Sequence, residues 1–258
     1  MSDKKKKNLK KLALKALIII ASLLAWLGIW KIVQLAVGLE LLVPSPERTF
    51  SALIKLSLTK DFWITIAYSL MRIVLGFVLG VVLGVLLAIP YRLLPFTRSF
   101  LSIGMNVVKS TPVAVLILAL WFIIGSKTVP IAIALMMVTP IVWQNTVNGF
   151  DAIDKGLSEV CDSYGFTHAK KFRYLILPTL YRHFFPALIT SSGLAWKSGI
   201  AAEIITTTQK AIGNQISIAK SNDQTAEAFA WTIAIIVLSL SLEKIMQFFL
   251  KRGEKAWQ

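Results

Sequence analysis

Apolar and polar positions alternate along this chain in long blocks rather than at the two-residue period of strands. Apolar runs cover residues 16–39, 62–89, 100–124, 129–150, 184–205 and 228–250. At about 1.5 Å rise per residue, a run of about 20 crosses a hydrocarbon core of about 30 Å as a helix. The pattern therefore predicts an all-α, polytopic membrane protein with about six transmembrane helices. Residues 16–250 form one transmembrane domain between a basic tail at 1–15 and a second tail at 251–258. The interruption at 41–62, with Pro44, Pro46 and spaced apolar residues, predicts an outer loop with one interfacial helix. A short basic turn is expected at 91–98, and a polar outer loop at 206–227. Pro112 is expected to bend the third span, because proline removes a backbone donor and crowds the preceding turn; Pro140 lies inside the fourth.

Two local patterns refine this outline. Gly76, Gly80 and Gly84 recur at four-residue spacing in the second span, a stripe of small residues that lets another helix pack closely. Static packing is the reading adopted; a sliding surface is the alternative. The other pattern is the polar, basic insertion at 151–178. Leu157, Val160, Cys161 and Tyr164 fall at i, i+3, i+4 and i+7, giving a short helix with one apolar stripe. Gly165 supplies a left-handed C-cap. A basic helical piece at 167–174 then follows, and Pro178 closes the unit.

Composition fits membrane residence: 56% hydrophobic residues, mean hydropathy +0.69 and only 16% charged residues. A net charge of +15 would suggest nucleic-acid binding in a soluble protein. Here the charge concentrates at segment ends and no basic, aromatic groove is seen, so no nucleic-acid partner is expected. With six spans and both termini in the cytoplasm, 18 lysines and arginines fall inside and 6 outside, which also puts the 151–178 loop in the cytoplasm. The first apolar run lacks a small-x-small cleavage site and reads as an uncleaved span. Cys161, the single cysteine, excludes an internal disulfide and reads as a small packing residue.

Candidate chemistry is sparse. SSGLAWKS at 191–198 lacks the glycines of a phosphate-binding loop. His168 and His183 are too far apart to suggest a metal pair, and no serine sits in a nucleophile elbow. Charges within spans are more informative, since each costs roughly 2.5–3.5 kcal/mol at the bilayer centre and must face protein or water. Arg72 lies in the second span, Lys197 and Glu203 in the fifth. Six residues at about 100° each put Lys197 and Glu203 about 240° apart, so they are not a same-face pair. Trp196, Lys197 and Glu203 are read as bordering a translocation route, with Ser198 and Gly199 allowing a bend, and Arg72 or Lys197 drawing an anionic substrate. The structural alternative has Arg72 paired with a carbonyl and Glu203 at the outer interface.

The 151–178 insertion resembles the EAA loop of ABC importer permeases. Glu159 stands at the acid, Val160 and Cys161 replace the alanines, Gly165 keeps the glycine spacing, and Leu175, Leu177 and Pro178 match the closing positions. The segments at 69–77 (SLMRIVLGF), 112–122 and 193–205 (GLAWKSGIAAEII) resemble the nitrate, sulfonate and taurine branch. The resemblance implies an inner-membrane permease subunit that is not itself an enzyme and binds no cofactor. It also implies a second permease copy, separate ATPase subunits carrying ATP and Mg, and an extracytoplasmic substrate-binding protein. Coupling to the ATPase is expected through Leu157, Glu159, Val160, Cys161, Tyr164, Gly165, Leu177 and Pro178. The branch suggests a small anion as solute, although it also includes carriers of uncharged heterocyclic precursors. An ATP-independent transporter or channel would instead show inverted repeats or midplane carboxylates, and an intramembrane enzyme would need a clustered catalytic set.

Overall fold

The computed structural model describes residues 3–255, with side chains described over 14–248. The lysines of the expected N-terminal tail and Lys251, Arg252 and Lys255 of the C-terminal one lie outside the described side chains, apart from Lys15. Every regular element among the described residues is helical. In order these are α1 (Asp3–Val37), α2 (Pro46–Ser57), α3 (Lys60–Leu93), α4 (Pro95–Ser110), α5 (Val113–Ile124), α6 (Val129–Asp151), α7 (Lys155–Ser163), α8 (His168–Lys171), α9 (Leu177–Ile205), α10 (Ile212–Ser221) and α11 (Thr225–Lys255). A π-helical turn, Phe172–Ile176, joins α8 to α9.

The centre of the bundle is α6, packed between α3 and α9. The glycine stripe of α3 forms the seam with α6. A Cβ at Gly76 would sit 2.4 Å from the Ile131 carbonyl oxygen, and one at Gly80 or Gly84 would meet Val138 or Val142 Cβ at 2.8 or 2.9 Å. Ala88, fully buried, continues the stripe by one turn. The backbones approach because the side chains are missing, which is the static-packing reading. The core is completed by Ile73, Trp196 and Trp231, with Phe62 stacked on Trp231 at 4.8 Å.

By contrast, the described part of α1 is held near its C-terminal end. Trp30 stacks on Phe229 at 5.8 Å and donates to the Pro44 carbonyl at 3.1 Å, and Lys31 pairs with Glu47 at 3.1 Å. Of its other described apolar residues, all but Leu27 are exposed.

Several boundaries differ from expectation. The basic turn at 91–98 shrinks to Leu94, because α3 runs through Pro90 and Pro95 opens α4. The third span is not a gently bent helix: α4 and α5 meet at 104°. Thr111 (φ −78°, ψ 127°) and Pro112 (φ −57°, ψ 132°) are both extended, as steric exclusion of the helical region before proline dictates. The 206–227 loop contains a helix, α10, because Ile212, Ile216 and Ala219 give it an apolar stripe against α9 and α11. Among the described residues four helices are long and apolar enough to cross a bilayer, or five if the bent pair counts as one span. Reaching six would require α9, long enough at 29 residues but diluted by Arg182, His183, Lys197 and Glu203.

Candidate functional site

Two regions collect the residues singled out from the sequence, and α9 connects them. The first is α7 with its turn. Asp154 caps the helix by accepting from the Leu157 amide at 2.9 Å. At the other end Gly165 has φ +67°, its amide donates to the Asp162 carbonyl, and that of Phe166 donates to the Cys161 carbonyl, both at 3.0 Å. These two bonds form a Schellman motif, which requires a left-handed residue where glycine stands. Lys171 of α8 then reaches back to both carboxylate oxygens of Asp162, at 2.8 and 2.7 Å, tying the two short helices together.

The apolar stripe of α7 faces away from the chain. Leu157, Val160 and Tyr164 are 54%, 50% and 80% exposed, and Cys161 is half-buried. Glu159 is exposed, and its carboxylate has no bonded partner among the described residues.

Pro178 does not close this unit as expected. It follows directly on the π-helical turn Phe172–Ile176, where the hydrogen-bond register is already shifted, and the helix runs on through it. The Leu177 amide donates to the Phe172 carbonyl, a five-residue step characteristic of a π-turn. From His168 to Ile205 the chain is therefore one continuous helical rod. Leu177 and Pro178 are half-buried near its foot, and Gly149 of α6 lets Leu180 approach closely.

The far end of that rod carries the second region. Glu203 is fully buried. Its Oε2 accepts from Ser69 Oγ at 2.8 Å and from the Gly213 amide at 3.3 Å. Ser69 Oγ in turn accepts from the Ile212 amide at 2.9 Å, so one serine bridges α3, α9 and α10. Arg72, one turn after Ser69, places Nη1 3.8 Å from Glu203 Oε1 and donates to the Gln209 and Lys210 carbonyls at 3.0 and 3.2 Å. Tyr68 lies between the Arg72 and Lys210 cations, at 5.8 and 5.6 Å. The connecting segment 206–211 is drawn over this cluster, with Thr207 and Lys210 in left-handed conformations.

The remaining candidates separate by face. Lys197 is exposed on the side of α9 away from Glu203, as the 240° offset requires. Trp196 is buried and donates to the Ile235 carbonyl at 3.3 Å, fastening α9 to α11. Ser198 returns its hydroxyl to the Leu194 carbonyl at 2.8 Å. The helix runs unbroken through Ser198 and Gly199, and a Cβ at Gly199 would lie 2.6 Å from Ile73 Cγ1, so this glycine serves close contact with α3. Asp154, Ser69 and Lys171 were not singled out from the sequence. Ser69 and Arg72 at i and i+3, with a lone buried acid in another span, were the available signal.

The sequence pattern of the family described as binding-protein-dependent transport system inner membrane component matches residues 80–255, more than half of the chain. The chain belongs to that family. As an ABC importer permease it can be set beside curated relatives. It is 32% identical over 166 residues to the aliphatic sulfonates transport permease SsuC of Escherichia coli (strain K12), a match covering 64% of this chain and 63% of that protein. It is 24% identical over 236 residues to the taurine transport system permease TauC of the same organism, covering 89% and 82%. Among solved structures, an amino acid ABC transporter chain superposes with a TM-score of 0.61 at 22% identity, covering 78% of this permease and 97% of that chain. The inward-facing MetNI methionine ABC transporter gives a TM-score of 0.52 at 19% identity. These likenesses support the all-helical, multi-pass membrane fold.

Proposed function

We propose that this permease lines the route for a small anion of the sulfonate class and is driven by separate ATPase subunits that dock on α7. What carries the docking reading is the outward apolar stripe of α7, which the chain itself leaves uncovered although it caps and cross-ties the helix at both ends. A surface helix of this kind, held rigid with its apolar face bare, suits insertion into a cleft on another protein. Charge distribution supports placing this end in the cytoplasm, with the substrate-binding protein at the other. The rod from α8 through α9 offers a mechanical link, since tilting the docked end would move the Glu203 end. A second permease copy would complete the route.

The anion reading rests on the SsuC and TauC likenesses and on Lys197. This side chain is exposed on α9 without an acidic partner among the described residues, and with α9 counted as the sixth span a cation left bare to lipid would cost roughly 2.5–3.5 kcal/mol.

Two experiments test these points. Co-expression with a Walker-motif ATPase subunit of a sulfonate-type ABC importer should yield a complex in mild detergent. Val160→Asp should abolish it without preventing membrane insertion; an undiminished complex would remove α7 as the docking element. Lys197→Met, with assembly verified, should depress uptake of an aliphatic sulfonate, and wild-type uptake would exclude Lys197 from the route.

A further inference from the structure

At the elbow between α3 and α4, two cavities of opposite character lie close together, and neither has a part in docking or in the Glu203 cluster. One is small and polar, about 80 Å³, with Tyr91, Arg92, Arg98 and Asp151 in its wall. The other is apolar, about 440 Å³, and runs between α3, α4 and α6 from Leu87 and Leu101 to Leu83 and Val108. Leu101 follows Arg98, and Leu87 precedes Tyr91, by about one helical turn, roughly 5 Å. The same three helices thus build a charged mouth and an oily groove in succession.

The mouth favours an anion. Arg98 donates from Nε to the Tyr91 carbonyl at 3.3 Å and stacks at 6.0 Å over the Tyr91 ring, and no carboxylate among the described residues pairs with it. Arg92 Nη1 lies 3.6 Å from Asp151 Oδ1, with both side chains about half exposed and so weakly held. The N-terminus of α4 opens here without a side-chain cap, adding partial positive charge. Two guanidinium groups and a helix terminus therefore face a single carboxylate. The groove favours an alkyl chain. Gly104 leaves its wall open, since a Cβ there would meet nothing within 4 Å. From Arg98 to Val108 is ten residues, about 15 Å, or one leaflet of a hydrocarbon core about 30 Å thick.

We infer that this elbow holds one anionic phospholipid per chain, its phosphate at Arg98 and Arg92 and one acyl chain in the groove between α3, α4 and α6. Basic pockets between spanning helices are a recurring form of headgroup site. The lipid would also complete the packing of α4, whose Phe100 and Ile103 are 78% and 65% exposed. The inference does not depend on the solute or on the ATPase.

The test is native mass spectrometry of the full chain released from nanodiscs of mixed phosphatidylglycerol and phosphatidylcholine. The wild type should retain one phosphatidylglycerol in preference to phosphatidylcholine. Arg98→Gln should weaken that preference about fivefold, the effect of removing one basic contact. Gly104→Trp should fill the groove and expel lipid of either kind, with helical circular dichroism and thermal unfolding confirming that both variants fold. Equal retention of both lipids, unchanged retention in both variants, displacement by inorganic phosphate alone, or protection of Gly104 only by a second copy would each overturn it.

Discussion

Arg72 Nη1 stands 3.8 Å from Glu203 Oε1, joining two helices whose charges are far apart in sequence but meet beneath the 206–211 segment. Glu203 is completely enclosed, whereas Arg72 is 15% exposed and also donates to the Gln209 and Lys210 carbonyls, so the pair is one-sided: removing the arginine leaves a buried carboxylate without its counter-charge, while removing the acid leaves the arginine its carbonyls. Arg72→Met should destabilise the folded protein by about 3–5 kcal/mol and Glu203→Leu by less, and the double substitution should lose less than the two single effects summed. Thermal unfolding in detergent of the two single variants and the double one gives the coupling. Additive losses would show that the two side chains act independently.

The glycine seam of α3 makes a comparative prediction. Gly76→Ala places a methyl 2.4 Å from the Ile131 carbonyl oxygen, so α3 and α6 must part, whereas Gly104→Ala meets nothing within 4 Å. Overpacking of this kind costs about 1–3 kcal/mol. Gly76→Ala should lower the unfolding temperature and Gly104→Ala should leave it unchanged or slightly raised.

Gly165 is needed for its left-handed backbone rather than for space, because nothing lies near its absent side chain. Gly165→Val should strain the α7 turn by about 1–2 kcal/mol or more. Amide exchange across 157–166 should accelerate while the spanning helices remain protected. Uncoupling of ATP hydrolysis from uptake would follow if α7 is the docking element.

Lys171 and Asp162 form a two-pronged but partly exposed ion pair, with side chains 19% and 62% exposed. Lys171→Ala should therefore cost little, about 0.2–1 kcal/mol, and the effect should fade at high salt. It should be read as faster exchange in α8, not as lower global stability.

Where α1 meets α2, the Glu47 carboxyl is held below its ordinary pKa, first by its own backbone amide and then by Lys31. A lowered carboxylate pKa stabilises the folded contact above the unfolded value. That contribution is lost as the pH falls through the lowered one. Cysteine cross-linking between α1 and α2, read relative to Glu47→Gln at each pH so that the titration of the thiols cancels, should thus decline at acid pH.

Much of this protein was already written in the linear pattern. Long apolar blocks can satisfy their backbone polar groups in lipid only as helices, so the class of fold followed directly. Gly165, φ +67°, and the Gly76–Gly80–Gly84 stripe were legible because glycine at those spacings has a local physical meaning. The apolar stripe of α7 could be read for the same reason, since its period lies within nine residues. What required the tertiary structure were the relations between distant segments. Only packing could bring Ser69, Arg72 and Glu203 together, set Gly199 against Ile73 of α3, and bury Trp196 against α11; the bend at Pro112 was legible, but not that it opens to a 104° corner. Sequence periodicity specifies which face of a helix is apolar; it does not specify which neighbour covers that face, and a charge in a span acquires its role from whatever partner the fold sets against it.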